Sequence, residues 1–483
     1  MTETAPDPRR WRALAVCFVG GFVTMLDVSI VNVTLPSMQA ALRAGATELQ
    51  LIVAGYSLAF GLVLVPAGRV GDARGRRRLF MTAMAGFGLT SLLAGLAQTD
   101  WQLAACRLFQ GCFAGLSSPQ VSGLIQQLFR GRERSRAFGL FGGVIGVSTA
   151  LGPLVGGLLL AAFGTTHGWR WVFFINVPIC LAVLPLAKRL LPGPPATAGR
   201  SQRLDPVGLG LVGFGTMAFM APFVLTPQGG FFDDPARWQW LAGAAALLPL
   251  TYFWERSYQR RHGAAVLNFD LLGQSSFRFG AALGAVYFAG FTALFLIVSM
   301  MLQSGLGFSA LTAGLVVVPN AIGSGTMAAL SGRLVSRFGR RLVVAGLTTA
   351  LVGMILVDSA IRFAPAAWLP WAVAAAMFVS GLGNGCIISP NQVLTFEAVP
   401  PALGGVAGAV LQVGQRVGAA VGTAVVLSIY FTTFASQTSK IGAGPASERA
   451  ASAGLLVSAG IIAAALVIAV FDARRRRAQA AVA

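Results

Sequence analysis

Apolar residues recur along this chain in unbroken runs of about twenty positions, parted by short clusters rich in arginine, glycine and proline. Roughly twenty apolar residues at about 1.5 Å rise each span a hydrocarbon core of ~30 Å. The runs predict fourteen membrane-spanning helices, at 13–36, 48–70, 79–98, 102–127, 137–163, 170–190, 207–225, 238–254, 277–303, 310–332, 341–361, 367–394, 402–433 and 452–471. The expected fold class is therefore an all-α integral membrane protein. The first run is too long, and too poor in cleavage signals, for a removable leader, so it is expected to be retained as helix 1.

Basic residues between the runs set an expected orientation. Of 36 lysines and arginines, 28 fall on one side if connections alternate, six on the other, and Arg107 and Arg416 lie within helices. One miscounted span would scramble this bias. It predicts a multi-pass protein of the plasma membrane with both ends cytoplasmic. The net charge of +20 does not point to nucleic acid, because the arginines are scattered among the apolar runs. Hydrophobic residues make up 55% of the chain and the mean hydropathy is +0.73, which excludes a soluble globular class. The five cysteines show no paired spacing and read as small packing residues, with no metal site implied.

An internal repeat divides the chain. Gly68-Arg69-Val70-Gly71-Asp72-Ala73-Arg74-Gly75-Arg76-Arg77 is echoed by Gly332-Arg333-Leu334-Val335-Ser336-Arg337-Phe338-Gly339-Arg340-Arg341. Each copy joins the second and third helix of a six-helix block, as parallel repeats would require. The expected layout is an N-terminus at 1–12, a bundle at 13–190, a Pro/Gly/Ala-rich linker at 191–206, two inserted helices at 207–254, a loop at 255–276, a second bundle at 277–471 and a basic tail at 472–483.

Asp27 is a lone carboxylate inside the first apolar run, where a charge is costly and marks function. Arg107 in the fourth helix falls at similar depth, roughly 8 Å below the outer end against roughly 12 Å for Asp27. A standing salt bridge and a proton switch both remain open for this pair. Arg416, in the thirteenth helix, has no acidic partner in sequence; capping carbonyls of neighbouring helices and meeting cargo are both open to it.

The loop from Gly68 to Arg78 resembles the inner-loop motif of the major facilitator superfamily, Gly-x-Leu-x-Asp-Arg-x-Gly-Arg-Arg. Ala73 departs from that pattern, and Ser336 stands at the Asp position of the second copy. The stretch Gly139-(x8)-Ser148-(x3)-Gly152-Pro153-Leu154-Val155-Gly156-Gly157 resembles the helix-5 antiporter motif of proton-linked drug exporters, with Ser148 in place of one glycine. Trp169-Arg170-Trp171-Val172-Phe173-Phe174-Ile175-Asn176-Val177-Pro178 reads physically as an aromatic belt. It also resembles a segment of the fourteen-helix drug:proton antiporters, as do the Asp27 run, Leu302-Gln303-(x3)-Gly307-(x5)-Ala313-Gly314 and Val318-Pro319-Asn320. The resemblance spans roughly residues 13 to 471.

It implies a major facilitator fold of two six-helix bundles plus two central helices, with helices 1 and 4 along a central cavity. It further implies that Gly68, Asp72, Gly75 and Arg76 form an inner gate, Asp72 latching onto the start of helix 13 near Ala402 to Gly405. Ser148, Gly152, Pro153, Gly156 and Gly157 would form the antiporter motif, and Asp27 with Arg107 would couple protons. Asn32, Arg416, Gln303 and Asn320 are the candidates for the cavity wall.

Rival classes lack their chemistry. Clustered nucleophiles, metal ligands or paired carboxylates are missing from the sequence, so an enzyme is not expected. No phosphate-binding Gly-x-x-x-x-Gly-Lys motif is present, so the expected energy source is a proton gradient, without a cofactor. A receptor or scaffold is a remote alternative, because no loop here is long enough for a signalling domain. The expected activity is proton-coupled export of small amphiphilic drugs or antibiotics by a monomer; a dedicated exporter of one endogenous metabolite, antibiotic or lipid is the alternative. One interior carboxylate against two arginines favours neutral, zwitterionic or acidic cargo over permanent cations.

Overall fold

In hydrocarbon every backbone N–H and C=O needs a partner, so long apolar runs close into helices. The computed structural model describes residues 9–44, 46–193, 205–225, 235–262, 271, 273–397, 399–400 and 403–482, and these residues contain no strand. The first bundle comprises α1 (Arg10–Leu42), α2 (Ala46–Arg74), α3 (Arg76–Leu96), α4 (Asp100–Leu128), α5 (Gly131–Phe174) and α6 (Asn176–Leu190). Between the bundles lie α7 (Pro206–Val224) and α8 (Gln239–His262). The second bundle comprises α9 (Ser275–Met300), α10 (Ala310–Phe338), α11 (Arg340–Phe363), α12 (Leu369–Gly385), α13 (Ile388–Thr395), α14 (Gly404–Ile441) and α15 (Ala443–Val482).

Local sequence sets several of the ends. Thr99 caps α4 by accepting from the Gln102 amide, Ser309 caps α10 from Thr312, and Asp205 caps α7 from Gly208, with Pro206 at the first helical position. Gly75 and Gly339 hold equivalent places in the two repeat copies, and both take positive φ (103° and 53°), a conformation that glycine adopts without strain. They make the tight α2–α3 and α10–α11 turns. Gly164 (φ 76°, ψ 163°) breaks α5, and the chain resumes towards α6.

Twelve of the described helical segments are long and apolar enough to cross a membrane, not the expected fourteen. The two that fall short are α4 and α8. Five glutamines, Asp100 and Arg107 lower the hydropathy of α4, and the last third of α8, from Glu255 to His262, is polar. Other expectations shift at their edges. Most of the 191–206 linker lies outside the described residues, as does much of the 255–276 loop. The segment expected as a basic tail continues α15 to Val482, since Ala and Arg favour helix and no Gly or Pro interrupts them.

Within the first bundle α2 packs on α4 and α1 on α5; within the second, α10 packs on α12 and α9 on α14. The bundles meet where α5 runs along α10 and where α14 reaches α2 and α4. The face at which α1 begins, which carries both repeat turns, is the basic face. A shared apolar core closes it, with Phe138 stacked on Phe396 at 5.1 Å between centroids. The inserted helix α7 rests on α2 and α14, across the seam.

Candidate functional site: a caged ion pair and a central cavity

Asp27 is fully buried and Arg107 nearly so, on facing turns of α1 and α4. Arg107 Nη1 donates to Asp27 Oδ2 at 2.5 Å. Gln110 Nε2 and Asn176 Nδ2 donate to Asp27 Oδ1 at 3.1 and 3.0 Å, and both also reach Ser91 Oγ. Arg107 is held in turn by Gln110 Oε1 (2.7 Å), by the Ile52 carbonyl (3.2 Å) and by the face of Tyr56, 4.2 Å from its centroid. Tyr56 donates its hydroxyl to the Thr24 carbonyl. Taking two charges out of water costs several kcal/mol each, which an excellent geometry with satisfied lone pairs repays. This cage has that geometry.

The opposite side of α1 lines a cavity of about 340 Å³ between the bundles. Met25, Val28 and Ser29 form its α1 wall, Pro153 and Thr149 its α5 wall, and Phe288, Phe291 and Phe295 its α9 wall. Polar groups are spread over it: Gln303, Gln392, Gln412 and Arg416 line it, and Ser118 of α4 donates to Gln412 of α14 across the seam. Among the described residues no carboxylate lines the cavity. Arg416 sits 4.4 Å from the Phe60 centroid and donates to Met25 Sδ at 3.2 Å, so a ring and a thioether stand where an acid would be. Gln303 lies on a wide π-turn, Met301–Gly305, at the end of α9, and donates to Ser299. Such turns re-aim side chains inside otherwise regular helices.

Asn320 is not in the cavity wall. It is buried, donates to the Met377 carbonyl at 3.0 Å and joins a chain through Asn384 to Tyr287, tying α10 to α12 and α9. Its spacing in the sequence carried no sign of which way the helix turns it. The Asn32 side chain lies outside the described ones.

The antiporter glycines face α1. Gly152 lies against Ser29, and a Cβ on Gly156 would stand 3.1 Å from Ile30 Cγ1. Gly157 is buried as well. Ser29 Oγ donates to the Thr149 carbonyl at 2.5 Å, and Ser148 turns its own hydroxyl to Ile145. The motif thus brings α5 close to the helix that carries Asp27.

At the basic face Asp72 accepts from the Gly405 and Val406 amides at 3.2 and 3.0 Å, across the seam at the start of α14. Ala402 of the expected partner stretch is outside the described residues. Arg76 pairs with Asp72 at 2.6 Å and reaches the Gly123 carbonyl. A Cβ on Gly68 would meet the Gly405 carbonyl at 2.6 Å, so α2 and α14 touch backbone to backbone. In the second copy Ser336 merely bonds its own helix at Arg333, while Arg340 finds Asp472 and Asn391, both at 2.6 Å.

Sequence reasoning missed Gln110, Asn176, Ser91 and Tyr56. Gln110 follows Arg107 by three residues and so shares its helix face, a signal that was readable. Asn176 falls in the segment read as an aromatic belt. That segment is only partly a belt: Trp169 and Phe173 are fully buried, Trp171 is exposed, and Arg170 donates to the Gly95 and Ala97 carbonyls.

A sequence model described as Major Facilitator Superfamily matches residues 17–423. The "probable actinorhodin transporter" of Streptomyces coelicolor is 36% identical over 444 residues, 90% of this chain and 75% of that one. The puromycin resistance protein of Streptomyces alboniger is 34% identical over 444 residues, 91% of this chain and 86% of that one. The multidrug efflux pump LfrA of Mycolicibacterium smegmatis is 30% identical over 458 residues, 94% and 87%. Among solved structures, the human organic anion transporter MFSD10 superposes with a TM-score of 0.64 at 17% identity, over 96% of this chain and all of that one. The fold, the match across most of its length and these relatives make the chain a membrane transporter, not an enzyme, of the major facilitator superfamily.

Proposed function

We propose that this transporter exports amphiphilic compounds across the plasma membrane in exchange for protons, by alternating access. One observation carries the reading: α1 turns a caged Asp27–Arg107 pair to one side and the wall of a ring-lined cavity to the other. A proton on Asp27 removes the charge that Arg107, Gln110 and Asn176 converge on, loosens that cage and lets α1 shift, which remodels the cavity. Asp27 and Arg107 then act as a switch rather than a standing bridge. The names of the relatives, two tied to single antibiotics and one to multidrug efflux, agree with drug export.

The fourteen-helix arrangement belongs to this reading. The α4 helix is 29 residues long and packed between α2 and α3, and α8 runs beside α7, so both suit a membrane despite their lower hydropathy. With fourteen crossings both ends are cytoplasmic and the basic face is the inner one. The contact of Asp72 with the start of α14 then closes the inner gate, favoured by the dipole of that helix. The ring-lined cavity, holding Arg416 and no described carboxylate, suits neutral, zwitterionic or acidic cargo. The protein is read as a monomer driven by the proton gradient alone.

A dedicated exporter of one compound is the second reading, favoured by the two relatives named for actinorhodin and for puromycin. Susceptibility profiles of cells stripped of native pumps separate the two: protection against several unrelated amphiphiles supports the first, against one compound the second. Proteoliposomes test the coupling. Substrate addition under an imposed pH gradient should release protons, and cargo movement without proton flux would refute the exchange.

A further inference from the structure

A second groove, of about 590 Å³, opens at the basic face, away from the central cavity. Its first wall is the start of α5, with Gly131, Arg134 and Ser135. Its other walls come from the second bundle: the α10–α11 turn with Arg340 and Arg341, the end of α13 with Glu397, and α15 with Arg476. Four arginines therefore line it against one glutamate.

Two of these cations are only partly satisfied. Arg340 is 4% exposed; its Nε meets Asp472 and its Nη1 meets Asn391, each at 2.6 Å, but its Nη2 has no partner among the described residues. Arg476 straddles the same Asp472 from the other side, at 3.4 Å, and reaches Glu397 at 3.2 Å; its Nη2 is likewise buried and has no partner among the described residues. A buried guanidinium N–H left without an acceptor is costly, and native structures rarely leave one so. Two such donors, on arginines that share one carboxylate and line one groove, are matched by an acceptor of several oxygens and negative charge. Glu397 and Asp472 are already engaged. The amide ends of α5 and α11 open on the same space, and helix N-termini favour anions.

We propose that this groove binds a phosphate-type anion, inorganic phosphate or the phosphate of an acidic lipid headgroup. Arg340 and Arg476 hold it from the second bundle and Arg134 from the first. A tetrahedral oxyanion gives Arg340 and Arg476 the missing acceptors and leaves an oxygen for Arg134, in charge-assisted bonds. Because its donors come from both bundles, the anion binds the closed basic face better than an opened one, and so shifts the population toward closure. This does not depend on which cargo the central cavity takes.

The full chain in zwitterionic phosphatidylcholine nanodiscs provides the test. One arm titrates inorganic phosphate against chloride at matched ionic strength; the other dopes the discs with phosphatidic acid. The readouts are the unfolding temperature and a spin-label distance across the basic face. The expected result is a raised unfolding temperature and a shortened distance in at least one arm. Apparent affinity should fall about tenfold in Arg134→Gln and in Arg476→Gln, and should be unchanged in Arg449→Gln, whose residue is exposed and bonds Gln437. A response to free phosphate shows that the bare anion suffices, and a response confined to phosphatidic acid assigns the headgroup. No response in either arm, or an equal response in the Arg134 and Arg476 variants, overturns the proposal.

Discussion

Arg107 and Arg416 stand over two rings of one helix: the first lies 4.2 Å from the centroid of Tyr56, the second 4.4 Å from that of Phe60. The rings are four residues apart on α2 and stack at 6.4 Å. A continuous aromatic ledge therefore joins the cation that holds Asp27 to the cation that faces the cavity. A buried ring beneath a cation contributes about 2 kcal/mol, enough to fix where each guanidinium sits.

Phe60→Leu removes the ring under Arg416 and keeps the apolar volume. Arg416 should lose its fixed position, and the affinity for acidic cargo should drop several-fold, by about 1 kcal/mol. Neutral cargo should be little changed. Competition against a fluorescent substrate measures both, and an equal loss for neutral and acidic cargo would deny the ledge its selective part.

Asp27→Asn should abolish substrate-coupled proton flux while the protein still inserts. It leaves Arg107 buried without its countercharge, a change of the kind that costs about 3–5 kcal/mol, so the unfolding temperature should fall as well. Asp27→Glu should keep part of the activity. Full coupled flux in the Asn variant, read in proteoliposomes under a pH gradient, would remove Asp27 from the mechanism.

The two repeat turns should respond differently. Asp72→Asn withdraws the charge from the Gly405 and Val406 amides, and spin-label distances across the basic face should lengthen while turnover slows. Ser336→Ala breaks only a bond within its own helix and should do neither. Equal responses would contradict the asymmetry.

Cargo charge offers a further test. Without a described carboxylate in the cavity wall, a cation meets Arg416 with only water to screen it. At an effective dielectric near 20 this repulsion amounts to about 1 kcal/mol after screening, several-fold in affinity. Acidic and zwitterionic amphiphiles should compete better than quaternary ammonium dyes, and Arg416→Ala should narrow the gap. Dicationic biocides as the best competitors would show that rings, not charge, set specificity.

Much of this was legible in the chain. Hydropathy marked the helices, though two of the fourteen expected spans fall short; depth counting set Asp27 and Arg107 at one level, and the family resemblance put their helices side by side. The loss occurred where local geometry decides: Asn320, inside α10, is turned to tie helices together, whereas Gln303, on the π-turn that ends α9, lines the cavity. Composition is also least informative where polar side chains are built into a helix. The α4 helix is less apolar than its neighbours in part because it carries Arg107 and Gln110, the residues that build the ion-pair cage.

A helix with an acid on one face and a cavity wall on the other imposes thermodynamic reciprocity. Whatever factor a proton on Asp27 applies to the affinity for cargo at Met25 and Ser29, cargo must apply to the affinity of Asp27 for its proton. Gly152 and Gly156 let α5 lie close against that helix, and on the proposed exchange this contact is what keeps either site from relaxing alone. Bulk at either glycine should therefore shrink the mutual factor towards one, and the protein would bind proton and cargo independently, a leak in place of an exchanger.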